Sequence, residues 1–242
     1  ETIMSIEIQI DHGAAWIVEQ LEKAGYEAYV VGGCVRDSLM GRPPKDWDVC
    51  TNALPEEVLR VFRRFHVIKT GLQHGTVTVM VSHQPVEVTT FRIDGAYTDN
   101  RHPDSVNFVS RVEEDLARRD FTINAMMQDV LTGEIVDHFG GQEDLQKGII
   151  RHVNDESFGE DPLRVLRAAQ FAARFAFQVA PETVTICKGM DLTALAGERI
   201  MEELNKALLK AEQPSIFFAD IKASKRASLE LEMATASFSC VH

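Results

Sequence analysis

Apolar positions recur along this chain at two periods. From His12 to Ala24, residues Ala14, Ile17, Val18 and Leu21 fall at helical spacing ahead of Gly25, which predicts an amphipathic helix. A strand over Tyr29–Val31 runs into Gly32-Gly33, and Cys34–Leu39 then reads as a helix stopped near Gly41 and Pro43-Pro44. Trp47–Cys50 reads as a strand and Pro55–Phe65 as a helix with Pro55 in its first turn. Gly75–Val81 and Val86–Arg92 form a hairpin pattern turning at Ser82–Pro85. Asp94–Ser105 is polar, holds Pro103, lacks periodicity and reads as a mobile loop. After a helix around Leu116 and Asn124, a strand Met126–Val130 turns at Thr132-Gly133 into Ile135–Asp137. Beyond Gly148, Pro162–Phe175 and Gly197–Lys210 are helical by pattern and no strand is evident. The chain divides into an α/β head over residues 1–150, a helical part over 151–221, and an Ala- and Ser-rich tail over 222–242 that reads as frayed.

Composition narrows the class. With 242 residues, 45% hydrophobic and 26% charged, the chain is long enough for one large or two small domains with a real core. No apolar run approaches the ~20 residues that cross a bilayer, and the first residues lack the order of a signal peptide, so the expected location is the cytoplasm. Cys34, Cys50, Cys187 and Cys240 form no CxxC pair and read as buried free thiols. A net charge of −12 argues against sequence-blind electrostatic binding of nucleic acid. It leaves RNA open if basic residues gather on one face.

Four short stretches carry candidate chemistry. In Asp46-Trp47-Asp48 the carboxylates are two apart, so on a strand they share a face while Trp47 turns to the core. Two such charges ~4 Å apart repel by ~4 kcal/mol at an effective dielectric near 20, which favours a divalent cation such as Mg²⁺ between them; a solvated strand edge is the alternative. Glu87, between Val86 and Val88, either faces solvent or adds a third carboxylate from a neighbouring strand. Gly32-Gly33 at a strand-to-helix turn either meets a need for positive φ or lets backbone N–H groups approach a phosphate, with Arg36 and Asp37 on the helix that follows.

In Arg118-Arg119-Asp120-Phe121-Thr122-Ile123-Asn124-Ala125, the arginines suit phosphate or base. Asp120 and Asn124, four apart on a helix face, suit ribose hydroxyls or local capping. Glu160-Asp161-Pro162-Leu163-Arg164 opens a helix, with Asp161 as an ordinary cap before proline and Arg164 and Arg167 on its stripe. A further reading has chemical logic. Cytosine and adenine each present an amino donor beside an unprotonated ring nitrogen, so an acceptor-only carboxylate next to a donor-only guanidinium matches C and A and rejects G and U.

These motifs, in this order, closely resemble those of the bacterial-type (class II) tRNA nucleotidyltransferase and poly(A) polymerase family, over about Tyr26 to Lys210. The resemblance implies a polymerase-β-like nucleotidyltransferase head followed by an all-helical neck. It implies that Asp46 and Asp48, helped by Glu87, hold two Mg²⁺ ions that serve the RNA 3′ hydroxyl and the triphosphate. It places Arg119, Asp120 and Asn124 around the incoming nucleotide, gives Asp161 and Arg164 base selection, and sets Arg167 near phosphate; Gly32, Gly33 and Arg36, from the turn described above, are the further expected nucleotide-binding residues. The implied partners are the tRNA 3′ end, CTP and ATP, and Asp94–Pro103 is the implied loop that helps the site change from CTP to ATP.

Within the family, Glu198–Leu204 and Asp94–Asp99 are closer to the tRNA enzyme, which implies CCA addition. Poly(A) addition, CC-only or A-only addition, and an inactive nucleotide- or RNA-binding remnant are the alternatives. Members continue past the neck into helical domains that grip tRNA, and Lys222–His242 does not resemble them. The expectations there are a fragment, an altered C-terminus, or RNA binding through a homo-oligomer.

Overall fold

The computed structural model describes residues 8–94, 105–193 and 195–224. In chain order the helices are α1 His12–Lys23, α2 Gly33–Leu39, α3 Pro55–Val61, α4 Val112–Ala117, α5 Gly141–Lys147, α6 Asp155–Glu160, α7 Leu163–Phe175, α8 Pro181–Gly189, α9 Gly197–Lys210 and α10 Pro214–Ser224. The strands are β1 Ala28–Val31, β2 Asp48–Thr51, β3 Val67–Ile68, β4 Thr76–Val81, β5 Gln84–Thr90, β6 Arg92–Asp94, β7 Val106–Phe108, β8 Met126–Gln128, β9 Ile135–Asp137, β10 Ile149–Ile150 and β11 Gln178–Val179.

Seven strands form one mixed sheet in the order β3-β4-β5-β2-β1-β8-β9, antiparallel except for the parallel pair β2 and β5. Alternation along the strands sorts side chains between two layers. Val30, Val49, Val86 and Val88 pack with Ile17, Val18 and Leu21 of α1, while Val31, Cys50 and Met127 pack on the other side with Phe91 and Leu116. Asp11 caps α1 by accepting from the N–H groups of Gly13 (2.8 Å) and Ala14 (3.1 Å). The described cysteines, Cys34, Cys50 and Cys187, are buried and free, and burial pushes the Cys34 thiol up to about 11.

Helices α7, α9 and α10 surround a separate core. Eleven of the thirteen residues of α7 are buried, so this helix is enclosed on nearly every side. Leu166, Phe171 and Phe175 meet Leu204 and Ala207 of α9 and Phe217 and Ile221 of α10. Each of these leucine, isoleucine and phenylalanine side chains contributes about 1.5–3 kcal/mol by leaving water. Phe121 and Ile123 join this core from the sheet side, and Phe121 makes an isolated β-bridge with His152.

Several expected elements change. The helix from Pro55 stops at Val61 because the chain turns to set Phe65 against Trp16, ring centroids 4.8 Å apart. The hairpin turn tightens to Ser82-His83, both left-handed (φ 49° and 65°), which matches the twist of the flanking strands. The returning strand ends at Thr90, and buried Phe91 separates it from β6. The helix expected to reach Asn124 ends at Ala117, and Thr122–Asn124 forms a 3₁₀ turn. Beyond Gly148, left-handed at φ 67°, the parallel pair β10 and β11 stands where no strand was expected. Helix α10 takes in the first residues of the expected tail; the rest of that tail, Cys240 and the loop 95–104 lie outside the described residues. Among the described residues no helix is long and apolar enough to cross a membrane.

Gly141 begins α5 against the 3₁₀ turn, and a Cβ there would collide with the Thr122 carbonyl oxygen. Gly141→Ala is therefore expected to lower stability by about 1–3 kcal/mol, read as a lower urea midpoint with unchanged slope. An unchanged midpoint would show that α5 is not tightly seated.

Candidate active site

A cavity of about 640 Å³ opens between one face of the sheet and the N-terminal half of α7. Parallel pairing of β2 with β5 puts Asp48 directly beside Glu87, and both line the cavity. Val49 and Val88, one residue on, face the opposite core, as does Trp47. Burial, the Glu87 charge and the Asp46 charge together push the Asp48 carboxyl up to about 6, against the pull of Arg119. Asp46 is exposed and is not part of the cavity wall. The same-face geometry expected of Asp46 and Asp48 does not apply, because β2 begins only at Asp48. Among the described residues no three His, Cys, Asp or Glu side chains are gathered as a closed metal cage. The pair Asp48 and Glu87, with Asp46 close enough to be felt, is a hard-oxygen set that suits Mg²⁺, which needs only one or two carboxylates when phosphates and water complete its shell.

Strand β1 delivers the chain to Gly32, whose φ of 82° and ψ of −129° only glycine adopts without strain. A Cβ here would also stand 3.2 Å from Nη1 of Arg119. The Gly32 N–H donates to the Met126 carbonyl (3.0 Å), so it is not available to a phosphate. What the glycine does instead is admit Arg119 to the wall. Gly33 and Arg36 of α2 line the cavity beside it.

The arginines are set by buried carboxylates. Asp115 pairs with Arg118 (3.0 Å) and Arg119 (3.3 Å). Burial works against its charge, but those guanidiniums and the Arg92 N–H outweigh it and hold the carboxyl below its ordinary range. Asp120 is the hub of a longer network. Its Oδ2 accepts from Arg167 Nε (2.8 Å) and Nη2 (2.5 Å), and its Oδ1 accepts from the Phe121 N–H (2.7 Å) and Asn124 Nδ2 (3.0 Å). Asn124 Oδ1 accepts in turn from Arg36 Nη1 (2.5 Å), and Arg36 grips Asp37 (2.6 and 2.8 Å). Burial opposes ionisation of Asp120, yet Arg167, Arg164 and Asn124 bring it down to about 2. Asp120 and Asn124 meet through this network rather than across a helix face, and each already has protein partners.

On α7, Arg164 is buried and donates to the carbonyls of Ser157 and Arg118, both at 2.7 Å. Helix α7 begins one residue later than expected, with Pro162 in the cap position, and Asp161 just before it accepts from the Leu163 N–H (3.0 Å) and stands 3.8 Å from Arg199 of α9. Asp161, Arg164 and Arg167 all line the cavity. Thus every expected site residue except Asp46 lines one cavity. Arg199 and Phe171 also line it, as do His74, Thr76 and Arg92, and none of these was singled out from the sequence; Arg199 lies in the Glu198–Leu204 stretch, but nothing local ties it to Asp161. The lining holds seven arginines and five carboxylates, a local positive balance in a chain of net charge −12.

Fold and site together define a nucleotidyltransferase head with helices attached. The family model described as the poly A polymerase head domain matches residues 28–151. The CCA-adding enzyme of Geobacillus thermodenitrificans is 47% identical over 199 residues, which cover 81% of this chain and 48% of that protein. The crystal structure of the Bacillus stearothermophilus CCA-adding enzyme in complex with CTP superposes with a TM-score of 0.76 at 41% identity, covering 86% of this chain and 50% of that one. The Thermotoga maritima CCA-adding enzyme complexed with tRNA gives 0.71 at 26% identity, covering 89% and 52%. This chain belongs to the poly A polymerase head-domain family. It spans about half the length of the curated relatives it matches.

Asp120 sets a pH dependence. Its folded value, about 2, lies below the ordinary carboxylate value, so the stability it adds is complete above about pH 4 and is lost as pH falls toward 2. Asp120→Asn is expected to cost about 2 kcal/mol or more at pH 7 and to flatten the acid limb of a plot of Tm against pH. An unchanged acid limb would contradict this role.

Proposed function

We propose that this chain carries the head and neck of a template-independent RNA nucleotidyltransferase that adds CCA to the 3′ end of tRNA from CTP and ATP. In this reading residues 1–150 are the catalytic head, 151–221 the neck that recognises the base, and 222–242 a tail of no assigned role. The RNA 3′ hydroxyl attacks the α-phosphorus of the nucleotide, a phosphodiester bond forms, and pyrophosphate leaves. The observation that carries the proposal is one cavity in which the Asp48 and Glu87 pair faces an arginine-rich wall ending in Asp161 and Arg164.

Asp46 and Asp48, with Glu87, would hold Mg²⁺, which when bound offsets the triphosphate charge and activates the 3′ hydroxyl. The crowding that lifts Asp48 supports this, since a cation relieves it. Arg119, admitted by Gly32, and Arg167, steadied by Asp120, are donors for phosphate oxygens. Arg36 and Asn124 brace Asp120 and so fix the floor beneath the sugar. Asp161 accepts from the amino group shared by cytosine and adenine, and Arg164, clamped by two carbonyls, donates to the adjacent ring nitrogen. The reduced, buried thiols suit the cytoplasm. A second reading, repeated A addition to other RNAs, is favoured only by the description of the matched family model.

With Mg²⁺ and a tRNA ending just before CCA, the chain is expected to add two C residues and then one A, and Asp48→Asn is expected to abolish incorporation. Repeated A addition to unrelated RNA would favour the second reading, and no incorporation with intact nucleotide binding would overturn both. Asp161→Asn adds an amide donor where only acceptors stood. Discrimination of CTP over UTP, measured as the ratio of kcat/KM values, is expected to fall about 10- to 100-fold, from ~1–3 kcal/mol for each base pairing. An unchanged ratio would remove Asp161 from base selection.

A further inference from the structure

Past the cavity, α7 continues from Phe171 to Phe175, and three guanidinium groups from different parts of the chain converge on the Phe175 ring. Arg36 and Arg174 lie 5.0 Å from its centroid and Arg42 lies 5.3 Å away. Arg36 also covers Phe171 at 5.1 Å, and both of these residues line the cavity. Arg42, Arg174 and Phe175 do not, so the cluster extends the cavity wall outward through Arg36.

The cluster is under-neutralised. Asp37 is committed to Arg36 and stands 3.8 Å from Arg174, and Glu212 pairs with Arg42. That leaves three positive charges against two negative ones. Arg174 is about a third exposed and makes no hydrogen bond among the described residues. Burial, together with Arg36 and Arg42, pushes its guanidinium below the ordinary value, as expected of like charges held together. Contact with an aromatic face uses only the π surface of a guanidinium and leaves its five N–H donors in the guanidinium plane for an acceptor.

We infer that Arg174 and Arg42 form a phosphate site for the RNA strand, taking backbone phosphates just upstream of the 3′ end while that end lies in the cavity. This rests on the reading of RNA as substrate given above. A guanidinium fork matches a phosphodiester in two hydrogen bonds and reads no base, which suits a strand whose sequence varies from one tRNA to another. The triphosphate is the less fitting ligand, because Arg119 and Arg167 already line the cavity in which it would lie.

The test measures binding of a short end-labelled single-stranded RNA by fluorescence anisotropy across a salt series, beside CTP binding by calorimetry. For the double variant Arg42→Gln/Arg174→Gln, the slope of log affinity against log salt is expected to shrink by about 1.4, at about 0.7 for each single-strand phosphate that is no longer neutralised. CTP affinity is expected to stay within about twofold, and Arg174→Lys, which keeps the charge, to retain most of the slope. An unchanged slope overturns the proposal, as does a loss confined to CTP, which would assign the cluster to the triphosphate. A wild-type chain that binds CTP but no RNA overturns this site alone; one that binds neither overturns the proposed function with it.

Discussion

The ion pair between Asp120 and Arg167 joins the two cores of this molecule. Asp120 stands just ahead of the 3₁₀ turn that feeds β8, and Arg167 lies midway along α7. Because α7 is enclosed on most sides, the part of its polar stripe that faces the sheet is only partly solvated and finds partners inside the protein. Arg164 finds two carbonyls and Arg167 finds Asp120; Asp161 finds a backbone N–H and the neighbourhood of Arg199. A buried ion pair gains little over a well-packed apolar one. What this one supplies is position: it sets the helix that presents Asp161 and Arg164 against the sheet that presents Asp48 and Glu87.

The sheet side of the cavity has the opposite electrostatic character. Asp120 is over-satisfied and held deep in the ionised form, whereas Asp48 is crowded by Glu87 and Asp46 and resists ionisation. One wall is therefore finished without a ligand, and the other keeps its carboxylates crowded. Gly32 stands between them. Its left-handed turn carries β1 into α2, and its missing side chain lets Arg119 reach the cavity. In the proposed function, substrate phosphates complete this charge pattern; the arginines around Phe175 extend it past the cavity.

Much of this is legible in the sequence, for identifiable reasons. Alternation in Val77–Val81 and the 3.6-residue spacing in His12–Ala24 and Gly197–Lys210 yield elements close to those observed, because each buries one face of a layer. Helices α5, α6 and α8 run six to nine residues, too short for a period to emerge, and β10 and β11 are two residues each. Strand alternation sets Asp46 on the face of Asp48, yet the strand starts only at Asp48. Helix periodicity pairs Asp120 with Asn124, yet the backbone between them is extended at Phe121 and then forms a 3₁₀ turn. They still meet, through a hydrogen bond that only tertiary structure reveals. Arg199 and Arg174 gain their meaning from partners far away in the chain, which no local pattern encodes.

The most direct test of this account is a double-mutant cycle on the bridge itself, with Asp120→Asn, Arg167→Gln and the double variant compared in urea unfolding and in CTP binding. A positional link between the two cores predicts that each single change costs nearly as much as both together. The coupling free energy would then be about 2 kcal/mol or more, with CTP affinity lost to a similar extent in all three variants. Additive effects, with coupling below about 0.5 kcal/mol, would contradict it and show that the helices are seated on the sheet by apolar packing alone.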